Sequence, residues 1–130
     1  MTEPDAVTIA FSRAGASLHA VVRGPGTYEN TVAYWRRIAA ALRERRASSL
    51  LLVDETTGAP LSAEEWKALV EAMQGEGLEQ VRVAHVKPIG LQNIEYCEIH
   101  AREAGLDARV FTNEMEASLW LRYGEHRRSP

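Results

Sequence analysis

Leu50-Leu51-Leu52-Val53 is a run of four apolar residues with nothing polar alternating between them. A strand wet on one face alternates; a strand without alternation is covered on both, which points to a largely parallel sheet between layers of helix. The residues after it, Asp54-Glu55-Thr56-Thr57-Gly58-Ala59-Pro60, read as an acidic, hydroxyl-rich loop. Ser62-Ala63-Glu64-Glu65 then has the Ser-x-x-Glu spacing of a capping box, in which each side chain bonds a free backbone amide at a helix start. Buried strand, loop and capped helix in that order form the repeating unit of an α/β fold.

The rest of the chain fits the same plan. Val7-Thr8-Ile9-Ala10-Phe11 and Leu18-His19-Ala20-Val21-Val22-Arg23 are two strand-like runs around a glycine-containing spacer, so an antiparallel hairpin is expected, stopped by Gly24-Pro25-Gly26. Over residues 30–46 the apolar positions Val32, Trp35, Ile38, Ala39 and Leu42 recur at helical spacing, with arginines mostly off that stripe. The capped helix buries Trp66, Leu69, Val70 and Met73 and is expected to end near Gly75 or Gly77. Residues 81–86 read as the next strand and 91–104 as the third helix, with Leu91, Ile94, Cys97 and Ala101 inward. Ala108-Arg109-Val110-Phe111 is a short last strand. A final helix capped at Asn113 carries Ala117, Trp120 and Leu121 inward. The order ββαβαβαβα predicts an α/β domain: a mostly parallel, five-stranded mixed sheet with one antiparallel edge strand and four helices. One domain over residues 1–130 is expected, with its core at about 7–122 and a frayed tail at 124–130.

Composition narrows the function classes. The 130 residues are 45% hydrophobic and 25% charged, as in ordinary globular domains. A net charge of -3 argues against nucleic-acid binding. One cysteine, Cys97, leaves no disulfide within the chain. No apolar run is long enough to span a bilayer, and Met1-Thr2-Glu3-Pro4-Asp5 is acidic where a secretory signal is basic. A cytoplasmic protein is expected.

The hairpin start, the buried 50–53 strand, and the closing Ala108-Arg109-Val110-Phe111 with Glu116-Ala117-Ser118-Leu119-Trp120-Leu121 give a chain that resembles the STAS domains and SpoIIAA-like proteins over residues 7–121. That family is named for a bacterial sporulation anti-anti-sigma factor. The resemblance implies a non-enzymatic, regulatory, protein-binding domain of SpoIIAA/STAS-like fold, acting through a regulatory protein or kinase or through a small ligand, with no cofactor. The anti-anti-sigma members carry a phosphorylated Ser or Thr in an Asp-Ser-Ser-Gly-like motif after the third strand. Glu55-Thr56-Thr57-Gly58 is the nearest match here, which makes Thr56 and Thr57 candidate phosphosites. Ala59-Pro60-Leu61 separates the motif from the helix cap at Ser62.

In parallel sheets ligands bind outside the carboxyl ends of the strands. Those ends gather Tyr28, Asp54, Glu55, Thr56, Thr57, Lys87 and Asn113 as candidates for contact with a ligand or partner. The structural alternative is that Asp54 and Thr56 satisfy turn amides, Lys87 pairs with an acid and Asn113 only caps a helix. A small enzyme or metabolite receptor using Asp54 and Lys87 in that crevice is the rival function. A response-regulator reading fails, because no acid pair follows the first strands. Cys97, His100 and His85 lack the paired spacing of a zinc site, so no metal is expected. No glycine-rich phosphate loop is present. Trp35, Trp66 and Trp120 either fill the core or wall an apolar ligand cavity. A homodimer is a further candidate assembly.

Overall fold

A computed structural model describes residues 7–58, 61–87 and 95–123. Strands β1 (Thr8–Ala14) and β2 (Ser17–Pro25) form an antiparallel hairpin closed by only Gly15 and Ala16. Gly15 takes a φ of +61°, the left-handed conformation that tight hairpin turns ask of their first central residue. So short a turn lets pairing run up to Ala14 and Ser17, beyond the expected runs. Helix α1 (Tyr28–Arg45) begins two residues before the expected start, because Thr27 Oγ1 accepts from the Asn30 amide at 3.1 Å and caps it.

Strand β3 (Ser49–Thr57) corrects the expected loop. Asp54, Glu55, Thr56 and Thr57 lie in the strand, paired in parallel with Val22, Arg23, Gly24 and Pro25 of β2. The apolar run stops at Val53, but the neighbouring strand goes on offering backbone partners, and threonine suits a pleated surface. Pro25 ends β2 rather than preventing it, since a strand's last position tolerates a missing amide hydrogen.

Helix α2 (Ala63–Ala72) carries both halves of the expected capping box: the Glu65 amide donates to Ser62 Oγ at 3.1 Å, and the Ser62 amide to Glu65 Oε1 at 2.9 Å. It stops at a Met73 cap, short of the glycines. A 3₁₀ turn (Leu78–Gln80) leads to β4 (Arg82–Val86). Helix α3 (Glu95–Glu103), β5 (Asp107–Phe111) and α4 (Glu114–Tyr123) complete the chain. The expected first turn of α3 and the expected tail at 124–130 lie outside the described residues, as do the side chains of Cys97 and His100.

The sheet order is β1-β2-β3-β4-β5, antiparallel at β1–β2 and parallel thereafter. Each parallel connection passes to the immediate neighbour, and a crossover of constant hand lays its helix on the same face every time. The larger core accordingly joins α1, α2 and α3 to one sheet face: Tyr34, Trp35, Ile38, Trp66, Leu69 and Ala101 meet Leu18, Leu50, Leu52, Val83 and Ala108. Among the described elements helix α4 covers the other face, where Ala117 and Trp120 pack on Leu51, Val53, Ala84 and Val86. The run 50–53 lacks alternation because both of its faces are buried.

Candidate functional site

Side chains alternate along a strand, so Leu50, Leu52, Asp54 and Thr56 share the face of β3 beneath α1–α3. The register pairs Leu52 with His85, which places His85, and Lys87 two residues on, over that same face. Asp54 and His85 are 3% and 2% exposed, depths at which charged groups are rare unless paired. They are paired: Asp54 Oδ2 lies 2.8 Å from His85 Nε2. Asp54 Oδ1 accepts from the Thr56 amide at 3.0 Å, the Thr56 hydroxyl at 2.5 Å and Lys87 Nζ at 3.3 Å. Lys87 Nζ also donates to the Thr56 carbonyl at 2.9 Å. Burial by itself pushes the Asp54 carboxyl up. The hydrogen bond and charge of His85, the Thr56 hydroxyl and the Lys87 ammonium outweigh it and hold the group well below the usual carboxylate range. Asp54 is therefore an ionised acid sealed in the interior.

Aromatic walls complete the enclosure. The rings of Trp35 and Trp66 stand edge-on to His85, at 6.2 Å and 73° and at 6.3 Å and 67°. The turn between β2 and α1 closes over Thr56. A Cβ at Gly26 would fall 2.9 Å from Thr56 Oγ1, and the Gly26 amide donates to the Thr57 carbonyl at 2.7 Å. On the far side of His85 lies a cavity of about 40 Å³ with carbon-faced walls, bounded by Trp35, Met73, Val83, His85, Ala101 and Val110. Glu98 and Arg109 also border it. The Glu98 carboxylate is turned to the Val110 amide, 2.9 Å away.

Of the residues singled out in the sequence, the fold brings Asp54, Thr56 and Lys87 together. Glu55 and Thr57 alternate to the opposite face, where Glu55 is exposed and pairs with Arg23 at 2.6 Å. Tyr28 opens α1 and packs partly buried against the larger core. Asn113 accepts from the Glu116 amide at 2.8 Å and caps α4, in the other layer. The residue that sequence reasoning left out of the cluster is His85. Its signal was present: it lies two positions before Lys87, the residue that follows β4, and alternation puts the two on one face. Among the described residues no group of three or more His, Cys, Asp or Glu side chains is placed to hold a metal ion, and no helix is long and apolar enough to cross a membrane.

The cluster holds an imidazole in one orientation against a carboxylate, with an ammonium and a hydroxyl closing the carboxylate's other side. Its polar groups answer one another. The cavity is the place where a guest from outside would meet His85. No protein-family model matches the sequence, and no curated protein matches it.

Proposed function

We propose that this chain is a non-enzymatic, cytoplasmic binding domain of the SpoIIAA/STAS-like kind, which takes the apolar end of a small molecule into the cavity between its helical layer and strands β4 and β5. The order ββαβαβαβα and the hairpin-edged parallel sheet support the family part of this reading. The cavity carries the functional part. Among the described residues the surface it presents is carbon, which favours a hydrocarbon group as the part recognised. At about 40 Å³ it is well short of the roughly 150 Å³ that admits benzene in a protein interior, which limits the buried part to a short alkyl end. Left empty, such a void costs about 1 kcal/mol at ~24 cal/mol per Å³. A guest that fills it recovers energy of that order and stabilises the fold.

A series of linear alcohols from propanol to octanol tests this, followed by tryptophan fluorescence and thermal unfolding. Expected is a fluorescence change, since Trp35 lines the cavity, with a rise in Tm that levels off once the alkyl chain exceeds the cavity. Ala108→Val and Ala101→Leu, which add carbon to two walls, abolish both signals. If no alcohol moves either signal, or the filled variants respond like wild type, the reading fails.

In the regulatory version of this reading a kinase would reach Thr57 rather than Thr56. The Thr56 hydroxyl is bonded to Asp54 beneath the helical layer, whereas Thr57 is exposed on the other face. The rival, an enzyme or metabolite receptor working at the strand ends, has less support, because Lys87 and Asp54 already bond each other and Thr56.

A further inference from the structure

Strand β5 is an edge of the sheet, and an edge strand carries backbone groups with no further strand to bond them. Two of these groups are taken by side chains of α3. The Val110 amide donates to Glu98 Oε1 at 2.9 Å, and Arg102 Nε donates to the Ala108 carbonyl at 2.9 Å. The spacings match. Glu98 and Arg102 stand about 6 Å apart along the helix, and Ala108 and Val110 about 6.6 Å apart along the strand. Helix α3 therefore lies antiparallel along the edge, held at two points. Glu98 Oε2 is also 3.5 Å from Arg102 Nε, which ties the two holds to each other.

The same stretch of α3 walls the cavity. Glu98 and Ala101 border it from the helix, Leu106 from the link to β5, and Ala108 and Val110 from the strand. Glu98 thus borders the cavity while its carboxylate is engaged with the strand edge. The Leu106 amide donates to the Ala101 carbonyl at 2.9 Å and anchors the link. Both holds are polar and reach solvent, the Glu98 and Arg102 side chains being 30% and 42% exposed, so water can replace either partner. Hydrogen bonds of that kind are the ones that open locally before a fold does.

We propose that α3 is the gate of the cavity, latched to the edge of β5 by Glu98 and Arg102 and turning about the link at residues 104–106. Opening exchanges two protein hydrogen bonds for bonds to water and parts the wall through which the alkyl end of a guest enters. The latch is the same with the guest inside or outside. It therefore sets the rates of entry and release and leaves the affinity nearly unchanged. The inference rests on the ligand reading of the cavity and adds how that site is reached.

1-Butanol added to the full chain is the probe, with circular dichroism confirming that each variant is folded. NMR line shapes through the titration give the rates of entry and release, and amide hydrogen exchange reads the opening of α3 with no guest present. In Arg102→Ala and in Glu98→Ala both rates are expected to rise about fivefold or more, as the loss of one hydrogen bond implies. The Kd should shift by less than about twofold. Glu98→Gln keeps an acceptor for the Val110 amide and stays nearer wild type, and Arg23→Ala, on the other face, leaves the rates unchanged. Exchange of the Val110 amide should quicken about tenfold in Arg102→Ala, which leaves that amide its own acceptor, because the two holds release together. If butanol binds both alanine variants at wild-type rates, or Val110 exchange does not move in Arg102→Ala, the gate is overturned and the cavity reading stands. If butanol binds neither wild type nor any variant, the cavity reading falls and the gate falls with it.

Discussion

Replacing Asp54 with asparagine keeps the volume of the side chain and removes its charge, which isolates what the buried carboxylate contributes. Asp54 accepts from His85 on one oxygen and from Thr56 and Lys87 on the other. An asparagine has one acceptor and one donor end. With its carbonyl toward Thr56 and Lys87, its amide hydrogens face His85 Nε2; turned over, they face the Thr56 amide and the Lys87 ammonium, both donors. Bonds to a charged group contribute about 1.5–3 kcal/mol each against about 0.5–1.5 for neutral ones. Weakening the His85 and Lys87 bonds by that difference costs about 2–3 kcal/mol, or roughly 10 °C in Tm for a chain of this size. The pH dependence separates this cause from a packing defect. The folded carboxyl titrates well below its ordinary range, whereas the unfolded one titrates near 3.9. Its contribution is therefore fully present above about pH 5 and is lost as pH falls toward the folded value. At pH 3 the unfolded chain has taken up most of a proton that the folded chain refuses, which lowers wild-type stability by about 1 kcal/mol. The asparagine variant has no such group, so the gap between the two proteins should shrink by about 1 kcal/mol between pH 7 and pH 3. Urea unfolding at both pH values measures it. A gap that is equal at the two, or a cost at pH 7 under about 0.5 kcal/mol against the ~2 expected, would refute the account of Asp54 as a buried, paired anion.

Three further outcomes follow from single contacts. Gly26→Ala sets a methyl group 2.9 Å from Thr56 Oγ1 and displaces that hydroxyl from Asp54; chemical denaturation should show a loss of about 1–3 kcal/mol. Ser62→Ala removes one half of a capping box and should cost about 1 kcal/mol by the same measurement, whereas Ser62→Asp retains most of the stability. Arg23→Ala breaks the ion pair with Glu55, but the two side chains are 65% and 39% exposed, so thermal unfolding should move by less than the equivalent of about 0.5 kcal/mol.

The elements that were legible in the sequence are those set by local chemistry. Ser62 and Glu65 announce the start of α2 by their spacing, and the bare run 50–53 announces a strand covered twice over. The end of that strand was not legible. From Asp54 onward the composition is that of a turn, and what holds it straight is the ladder with Val22–Pro25, contacts far away in sequence. The pairing of Asp54 with His85 was hidden for a related reason. Both residues were visible on strands, but their meeting depends on Leu52 standing beside His85, and a slip of one residue would turn His85 to the α4 face. Trp35 and Trp66 were read as either core or cavity wall. They fill the core, they stand edge-on to His85, and Trp35 also lines the cavity.

Topology explains why the polar residues at the strand ends do not make an open crevice. Such crevices form in parallel sheets where successive helices diverge to opposite faces and leave a gap at the point of reversal. Here β2, β3, β4 and β5 follow one another in order, and the three helices between them stay on one face. No reversal occurs, and α1 and α2 close over the ends of β3 and β4. Asp54, Thr56 and His85 are thereby carried under Trp35 and Trp66 instead of out to solvent, and a carboxylate buried there requires partners that neutralise it. The space the helical layer leaves lies further along the sheet, between α2, α3 and strands β4 and β5, where its walls come from apolar side chains. The same constant hand of crossover leaves α4, among the described elements, to cover the other face, with an exposed apolar ridge on its outer side. Both the cavity and the ridge follow from that single-sided arrangement of helices.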